Sequence, residues 1–206
     1  MERRPIKLFF SYSHEDEALR NKLAKHLSSL RRSGVIQEWH DREIEAGADW
    51  EKAIEENLNA ANVILLLVSP DFLASDYCWG KELTQAMERH EAKEACVIPV
   101  ILRPTAFWQT APFAKLQAFP TNAKPVTEWE NQDAAFVNVV EGIQTVIDRL
   151  IQTETLEDTE LSLLEDQLPI EEMEEAKNSG QGEEFYREEV LNCLREDGGE
   201  LLPGSY

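Results

Sequence analysis

The sequence has few cysteines, no long apolar run and no obvious targeting segment. Its three cysteines, Cys78, Cys96 and Cys193, are too few and too widely spaced for a disulfide framework or a zinc set. The longest apolar run, residues 63–68, is far shorter than the roughly 20 residues that a membrane helix needs. No apolar segment near the start is long enough for a secretion signal. These absences predict a cytoplasmic protein with reduced thiols.

Basic residues are scarce at the C-terminal end, and the net charge of the whole chain is −20. Residues 151–206 contain 17 Asp/Glu and 3 Lys/Arg, whereas residues 1–150 contain 23 and 17. A negative field repels phosphates, so nucleic acid and anionic membranes are not expected partners. A chain of this length buries one substantial core. We therefore predict one domain in residues 1–152 and an acidic linker or partial helical segment in residues 153–206.

Several motifs of common enzyme classes are missing. The sequence has neither GxGxxG after a strand nor GxxxxGK[ST], the backbone cradles for dinucleotides and triphosphates. It also lacks the GxSxG turn of serine hydrolases. Its histidines, His14, His26, His40 and His90, do not have metal-ligand spacing. We predict no metal site and no bound cofactor.

Short β-branched or aromatic runs alternate with helical patterns along the first 152 residues. Continuous apolar strands that alternate with helices indicate a parallel sheet covered on both faces. The predicted fold is α/β, a three-layer doubly wound (flavodoxin-like) five-stranded parallel sheet with an acidic C-terminal tail. The strands are predicted at residues 6–10, 35–39, 62–68 and 95–102, with a short fifth strand near "KPVT", residues 124–127.

Polar segments follow the predicted strands, where the ligand crevice of such a sheet lies. The first strand is followed by "SYSHED", the second ends in "WHDREIEAG", and the third is followed by "SPDFLASDYCWGKE". A phospho-acceptor receiver domain shares this topology but needs an Asp at the end of the third strand. Here Ser69 and Pro70 occupy that place, which disfavours the receiver interpretation.

Four ordered segments resemble one known family. "LFFSYSHED" is similar to the first signature box of TIR (Toll/interleukin receptor) domains, and "WHDREIEAGADW" to the loop and helix start after their second strand. "ANVILLLVSPDFLASDYCWGKEL" resembles their third strand and following helix, and "VIPVILRP" their fourth strand. The resemblance covers residues 5–152 and is strongest to bacterial TIR proteins.

The resemblance implies one of two functions. Some TIR domains are non-catalytic adaptors that act in signal transduction through self-association. Others, common in bacteria and plants, hydrolyse or cyclise NAD+ with one glutamate on the helix after the third strand, a position that Glu82 occupies here. The spacing from Cys78 to Glu82 is four residues, whereas plant members have three. The implied enzyme is an NAD+ glycohydrolase that releases nicotinamide, yields linear or cyclic ADP-ribose and defends bacteria against phage.

A single carboxylate suffices for this reaction. Ordinary glycosidases need two, because one must protonate a poor leaving group. Nicotinamide in NAD+ already carries the positive charge that leaves with the bond, so a fixed negative charge beside the developing cation remains the main requirement. On a helix, the positions three and four residues from Glu82 hold no basic residue. Considered without the resemblance, Glu82 would be an ordinary solvated glutamate.

Other candidate residues have weaker signals and alternative explanations. The segment after the first strand either contacts ribose and nicotinamide or forms a turn that caps a helix. The loop after the second strand either binds the ligand or is solvated, and an aromatic residue beside the glutamate either stacks on substrate or belongs to the core. The candidate substrate-binding residues are Tyr12, Ser13, His14, Asp41, Arg42 and Trp79.

The expected partners are NAD+ and further copies of the same chain. The resemblance implies a homo-oligomer or filament built through TIR–TIR contacts. The loop of residues 40–50 is expected to contribute a head-to-tail contact, since such contacts generate filaments. No sensor motif is visible in residues 153–206, so the expectation is either that this segment is a truncated module or that the trigger is a separate sensor protein.

Overall fold

The computed structural model describes residues 4–43, 47–75 and 78–165, without the side chains of residues 78, 79, 157, 158 and 160–165. Most of the predicted acidic segment therefore lies outside the described residues, as does Glu45 in the predicted assembly loop. In order, the strands and helices are β1 Ile6–Ser11, α1 Glu17–His26, α2 Ser28–Arg32, β2 Ile36–Trp39, α3 Trp50–Ala60, β3 Val63–Val68, α4 Pro70–Ala74, α5 Leu83–Glu91, β4 Cys96–Ile101 and α6 Gln132–Glu165.

The four strands form one parallel sheet in the order β2-β1-β3-β4. From β1 the chain adds β2 on one side, and it then adds β3 and β4 on the other side. The direction of growth therefore reverses between β1 and β3, as in a doubly wound, flavodoxin-like sheet. The predicted fold class is thus confirmed. In such a sheet a ligand crevice opens at the carboxyl ends of the two strands that flank the switch, here β1 and β3.

The strands are hydrophobic on both faces because helices cover both. On one face, Phe9 and Ile64 belong to a core cluster with Ile54 and Leu58 of α3 and Leu83 of α5. Alternate strand residues point the opposite way. Further fully buried helical side chains belong to α1 and the first half of α6, among them Leu23, Phe136, Val139, Ile143 and Ile147. The sheet is the middle of three layers.

The predicted fifth strand is wrong for the described part of the chain, where the sheet has four strands. Residues Val126–Glu128 form a 3₁₀ turn instead. Pro125 has no N–H to donate to a strand ladder and its ring fixes φ, which favours the turn. The edge of β4 is covered by one bridge, in which Phe119 N donates to Pro99 O (2.9 Å) and Ile101 N donates to Phe119 O (2.8 Å). Pro99 is tolerated because its strand lies at the edge.

The described part of the connection from β3 to α5 contains two helical pieces. Ser69 caps α4 by accepting a hydrogen bond from Phe72 N (3.0 Å), and Pro70 occupies the first helical position, where no donor is needed. A π-helical turn, Cys78–Glu82, then leads into α5. Glu82 thus stands at the junction between the π turn and the α-helix.

The last helix, α6, continues to Glu165, beyond the predicted domain end at residue 152. Backbone packing divides the chain into two units, Met1–Ile147 and Asp148–Tyr206. Among the described residues, no helix has both the length and the apolar character needed to cross a membrane.

Candidate active site

A cavity of about 180 Å³ opens at the carboxyl ends of β1, β2 and β3. It lies at the switch point of the sheet, where doubly wound folds bind their ligands. Its wall combines aromatic and acidic side chains, and none of the described residues that line it is Lys or Arg. The lining residues are Phe9, Phe10, Tyr12, Ser13, His14, Glu15, Trp39, Asp41, Trp50, Ile54, Ser75 and Glu82.

Glu82 is a buried carboxylate at this cavity, with 6% of the residue exposed. Ser11, the last residue of β1, donates a hydrogen bond from Oγ to Glu82 Oε2. In the described part of the chain no cation pairs with Glu82, and no donor reaches its Oε1. Burial raises the pKa of Glu82 to about 7, since the Ser11 hydrogen bond that lowers it is the weaker effect. The ionised and neutral forms are therefore both populated near neutral pH.

Tyr12, His14 and Asp41 form a hydrogen-bonded group on the same cavity. Tyr12 donates from its hydroxyl to Asp41 Oδ1 (2.6 Å), and His14 Nε2 contacts Asp41 Oδ2. Burial alone would raise the pKa of Asp41, but the hydrogen bonds from Tyr12 and His14 outweigh it and lower that pKa. Asp41 is thus ionised at neutral pH, whereas burial raises the pKa of Glu82.

Arg20 contacts the Tyr12 side chain of this group. Its side chain is buried, its Nη2 donates to the Tyr12 hydroxyl (3.2 Å), and its guanidinium lies over the Tyr12 ring, 5.0 Å from the centroid. Burial and the bond to Asp41 raise the pKa of Tyr12 to about 12. Tyr12 therefore stays protonated and remains a donor to Asp41.

A second polar cluster joins the segments that follow β1, β3 and β4. Asp16 is buried and accepts a hydrogen bond from Ser69 Oγ. Arg103 lies with Nε 2.7 Å from Asp16 Oδ1 and also contacts Asp71. The Nε–H direction misses hydrogen-bond geometry, so that contact is ionic, whereas Nη2 donates to Asp16 Oδ2 (3.3 Å). Because Ser69 also caps α4, this cluster ties the segment after β1 to the segment that leads to Glu82.

The structure brings most of the candidate site residues together. Tyr12, Ser13, His14, Asp41 and Glu82 all line the one cavity. Arg42 lies outside its lining and donates to Glu17 Oε2 (2.8 Å), so a role toward a ligand stays a prediction for Arg42. The side chain of Trp79 lies outside the described residues, and its stacking role also stays a prediction.

The sequence analysis missed several residues of the site. Ser11 touches Glu82 directly, and Arg20 anchors Tyr12, but one is a strand residue and the other lies in a helix. Trp39 stacks on Phe9 with 5.2 Å between ring centroids, and Trp50 is 40% exposed at the cavity. Two signals in the sequence could have indicated these residues. Ser11 lies at the end of a predicted strand, and Trp50 lies at the start of the helix that follows the second polar segment.

Comparison with known proteins gives a consistent family match. A model of the TIR domain family matches residues 8–136. The uncharacterized protein y4lF of Sinorhizobium fredii (strain NBRC 101917 / NGR234) is 51% identical over 146 residues, which make up 71% of this chain and 45% of that protein. The matched segment thus spans about half the length of this bacterial relative.

Solved structures with similarity to this chain are also TIR domains. The TIR domain of the Toll-related receptor TRR-2 from Hydra magnipapillata is 17% identical, with a TM-score of 0.48, and the match covers 66% of this chain and 97% of that one. The TIR domains of the activated Roq1 resistosome, which directly recognizes the pathogen effector XopQ, are 25% identical with a TM-score of 0.38 over 46% of this chain and 56% of that one.

Proposed function

This chain belongs to the TIR domain family, and from that premise we propose that it is an NAD+ glycohydrolase that uses Glu82. The observation that carries the proposal is a buried carboxylate on a cavity at the switch point of the sheet. A buried carboxylate without a cationic partner lowers stability, and such groups are found mainly where they serve a function. Stabilising a positively charged reaction centre is such a purpose.

The chemistry requires one negative charge near the ribose. The bond between C1′ of ribose and the nicotinamide nitrogen breaks, and its electron pair leaves with nicotinamide, which becomes neutral. Positive charge then develops on the ribose ring. Ionised Glu82, held by Ser11 through Oε2, keeps Oε1 for this cation in a cavity where low dielectric strengthens the attraction.

The cavity fits the nicotinamide end of NAD+ better than its phosphate end. Trp39 and Trp50 offer aromatic faces to a cationic pyridinium ring, and Asp41 adds a second negative charge. In the part of the lining that the structure describes there is no Lys or Arg to neutralise a pyrophosphate. The volume of about 180 Å³ is below the roughly 300 to 1,000 Å³ of pockets that enclose a drug-sized ligand. The pyrophosphate and adenosine would therefore extend out of the cavity.

The biological setting follows from the same family resemblance. We propose a cytoplasmic effector that depletes NAD+ during phage infection, is triggered by a separate sensor protein and works as a homo-oligomer or filament. No resident metal or cofactor is part of this proposal, because NAD+ is the substrate.

The test is nicotinamide release from NAD+ by the full chain, measured by chromatography with and without a crowding agent that forces assembly. Glu82→Gln keeps the size of the side chain and removes its charge, so release should fall by about a hundredfold to a thousandfold. The matched control is Glu88→Gln, an exposed glutamate of α5, the helix that begins directly after Glu82, and it should behave as the parent. Circular dichroism checks the fold of each variant.

Two outcomes would contradict the proposal. Equal release by the parent and Glu82→Gln would remove Glu82 from the mechanism. Absence of release from the parent, even under crowding, would favour a non-catalytic adaptor, which should then bind another TIR domain without turnover.

A further inference from the structure

We infer that His14, oriented by Asp41, accepts the proton of the water molecule that attacks the ribose. This inference rests on the proposed NAD+ cleavage and assigns its second half, the capture of the ribosyl cation. Glu82 would stabilise the cation, and His14 would activate the acceptor. Both residues line the same cavity, one after β3 and the other after β1.

The contacts of Asp41 fix which nitrogen of His14 carries the proton. Asp41 Oδ1 accepts from Tyr12, and Oδ2 contacts His14 Nε2. An ionised carboxylate only accepts hydrogen bonds, so Nε2 must be the donor. In a neutral imidazole the lone pair then lies on Nδ1. Within the described part of the chain, Nδ1 of His14 has no hydrogen-bond partner, and it is therefore the basic atom of this pair.

A base distinct from Glu82 solves a conflict within the reaction. Glu82 stabilises the ribosyl cation only while it is ionised, and a proton taken from water would neutralise it at that moment. His14 accepts the proton as a neutral imidazole, so this transfer leaves the negative charge of Glu82 in place. Asp41 contacts its Nε2, and Glu15 lines the same cavity. The side chain of His14 is 55% exposed, so it can return the proton to solvent.

The step balances without any further reactant. The oxygen of water forms a bond to C1′ of ribose, and one proton of that water moves to His14 Nδ1. The products are ADP-ribose with a hydroxyl group at C1′ and a doubly protonated imidazole. Release of the proton to solvent restores His14, and neutral nicotinamide has already left.

Asp41, Tyr12 and Arg20 act here as positioning residues. Arg20 donates to the Tyr12 hydroxyl, Tyr12 donates to Asp41, and Asp41 holds Nε2 of His14. The charged groups around His14 thus include Asp41 and Glu15 on the cavity, Arg20 behind Tyr12, and the pair Arg42 and Glu17 beside Asp41.

The first experiment measures the tautomer of His14 directly. Nitrogen-15 NMR of the full chain, with His14→Gln to assign the signal, should show a neutral ring protonated at Nε2. Asp41→Asn should abolish that preference. A ring protonated at Nδ1 in the parent would overturn the inference, whatever the protein does with NAD+.

The second experiment separates activation of the acceptor from substrate contact. His14→Ala should lower kcat for ADP-ribose formation by about a hundredfold with little change in KM, and added imidazole should restore part of the rate. His26→Gln, which changes a histidine of α1 outside the cavity lining, serves as the control. A rise in KM with unchanged kcat would overturn the inference and indicate that His14 only contacts the substrate.

The two proposals fail in different ways. If Glu82→Gln loses activity while His14→Ala matches the parent in kcat and pH dependence, the role of His14 is overturned and the proposed function stands. If the parent releases no nicotinamide under any condition, both proposals fall.

Discussion

Ser11 and Glu82 are 71 residues apart in the sequence, and the hydroxyl of one donates a hydrogen bond to the carboxylate of the other. The contact exists because β1 and β3 are parallel neighbours, with Ser11 in register with Leu66 near the carboxyl end of β3. The ionisation of Glu82, the proposed catalytic group, therefore depends on the correct pairing of β1 with β3.

The rate of NAD+ cleavage should rise with pH around neutrality. The pKa of Glu82 is about 7, and only the ionised carboxylate stabilises the ribosyl cation. Cleavage should therefore increase from pH 6 to pH 8, with an inflection near 7. The measurement is initial nicotinamide release across this range at saturating NAD+. A rate that is flat or falls over this range would contradict the role of ionised Glu82.

Ser11→Ala should move that inflection to higher pH. The hydrogen bond from Ser11 favours the ionised form of Glu82 and lowers its pKa, so removal of the hydroxyl raises the pKa further. Release at pH 7 should fall, and part of the loss should be recovered at pH 8.5. The control is Ser13→Ala, which removes a hydroxyl that lines the same cavity but does not contact Glu82 in the structure. The inflection of its pH–rate curve should match that of the parent.

Glu82→Gln should stabilise the fold at alkaline pH. The folded-state pKa of about 7 exceeds the ordinary glutamate value of 4.5, so the folded protein binds an extra proton between these values. The free energy of unfolding of the parent therefore falls as pH rises from about 4.5 to about 7, by an amount on the order of 3 kcal/mol. Glutamine does not titrate and avoids this loss.

Urea unfolding at pH 4.5 and pH 8 tests this expectation. The stability difference between Glu82→Gln and the parent should be more favourable to the variant at pH 8. The exposed Glu88→Gln should show no such dependence. A difference that is the same at both pH values would mean that burial of Glu82 has no energetic consequence.

Arg103→Ala should destabilise the protein by roughly 2 kcal/mol. It leaves the buried Asp16 carboxylate without its cation, and loss of one partner of a buried ion pair is strongly unfavourable. The figure is below the usual 3 to 5 kcal/mol because Arg103 is 32% exposed and partly screened. The control is Lys115→Ala, whose ion pair with Glu91 is solvent-exposed and should contribute little.

Gly142→Ala should lower stability by about 1 to 3 kcal/mol, although alanine favours helices. A Cβ at Gly142 would overlap the ring of Phe119. Both the N–H and the C=O of Phe119 are hydrogen-bonded to β4, so the ring cannot move away without disturbing that edge of the sheet. At Gly80 a Cβ meets open space, and Gly80→Ala should leave the thermal midpoint nearly unchanged. Equal midpoints for the two variants would contradict the packing argument.

The strand pattern was predictable because the strands are buried on both faces. Val63–Val68 is apolar at every position and fully buried, and no helical stripe competes with that pattern. The fifth strand was mispredicted because Val126 is apolar and buried in a turn, and burial alone does not distinguish a strand from a turn. Pro125 favours the turn, and a prediction from the apolar pattern alone does not take the proline into account.

The site was predictable to the extent that its residues follow strand ends. Tyr12, His14 and Asp41 were found from their positions after β1 and β2, and Glu82 was assigned through the resemblance to TIR domains. The structure gathers all four at one cavity. The contacts among them were not predictable, because Tyr12 bonds to a residue 29 positions away. Arg20 was missed because a helical arginine is usually solvated. Only the fold reveals that it is buried against the Tyr12 ring.

The π turn at Cys78–Glu82 affects how this chain should be aligned with its relatives. A π turn accommodates one more residue than an α turn. An insertion in this turn can therefore be absorbed locally, while α5 keeps its register against the sheet from Leu83 onward. The distance in sequence between a cysteine and the glutamate is then free to vary among family members. Equivalent glutamates are better identified by counting backward from the buried residues of the following helix.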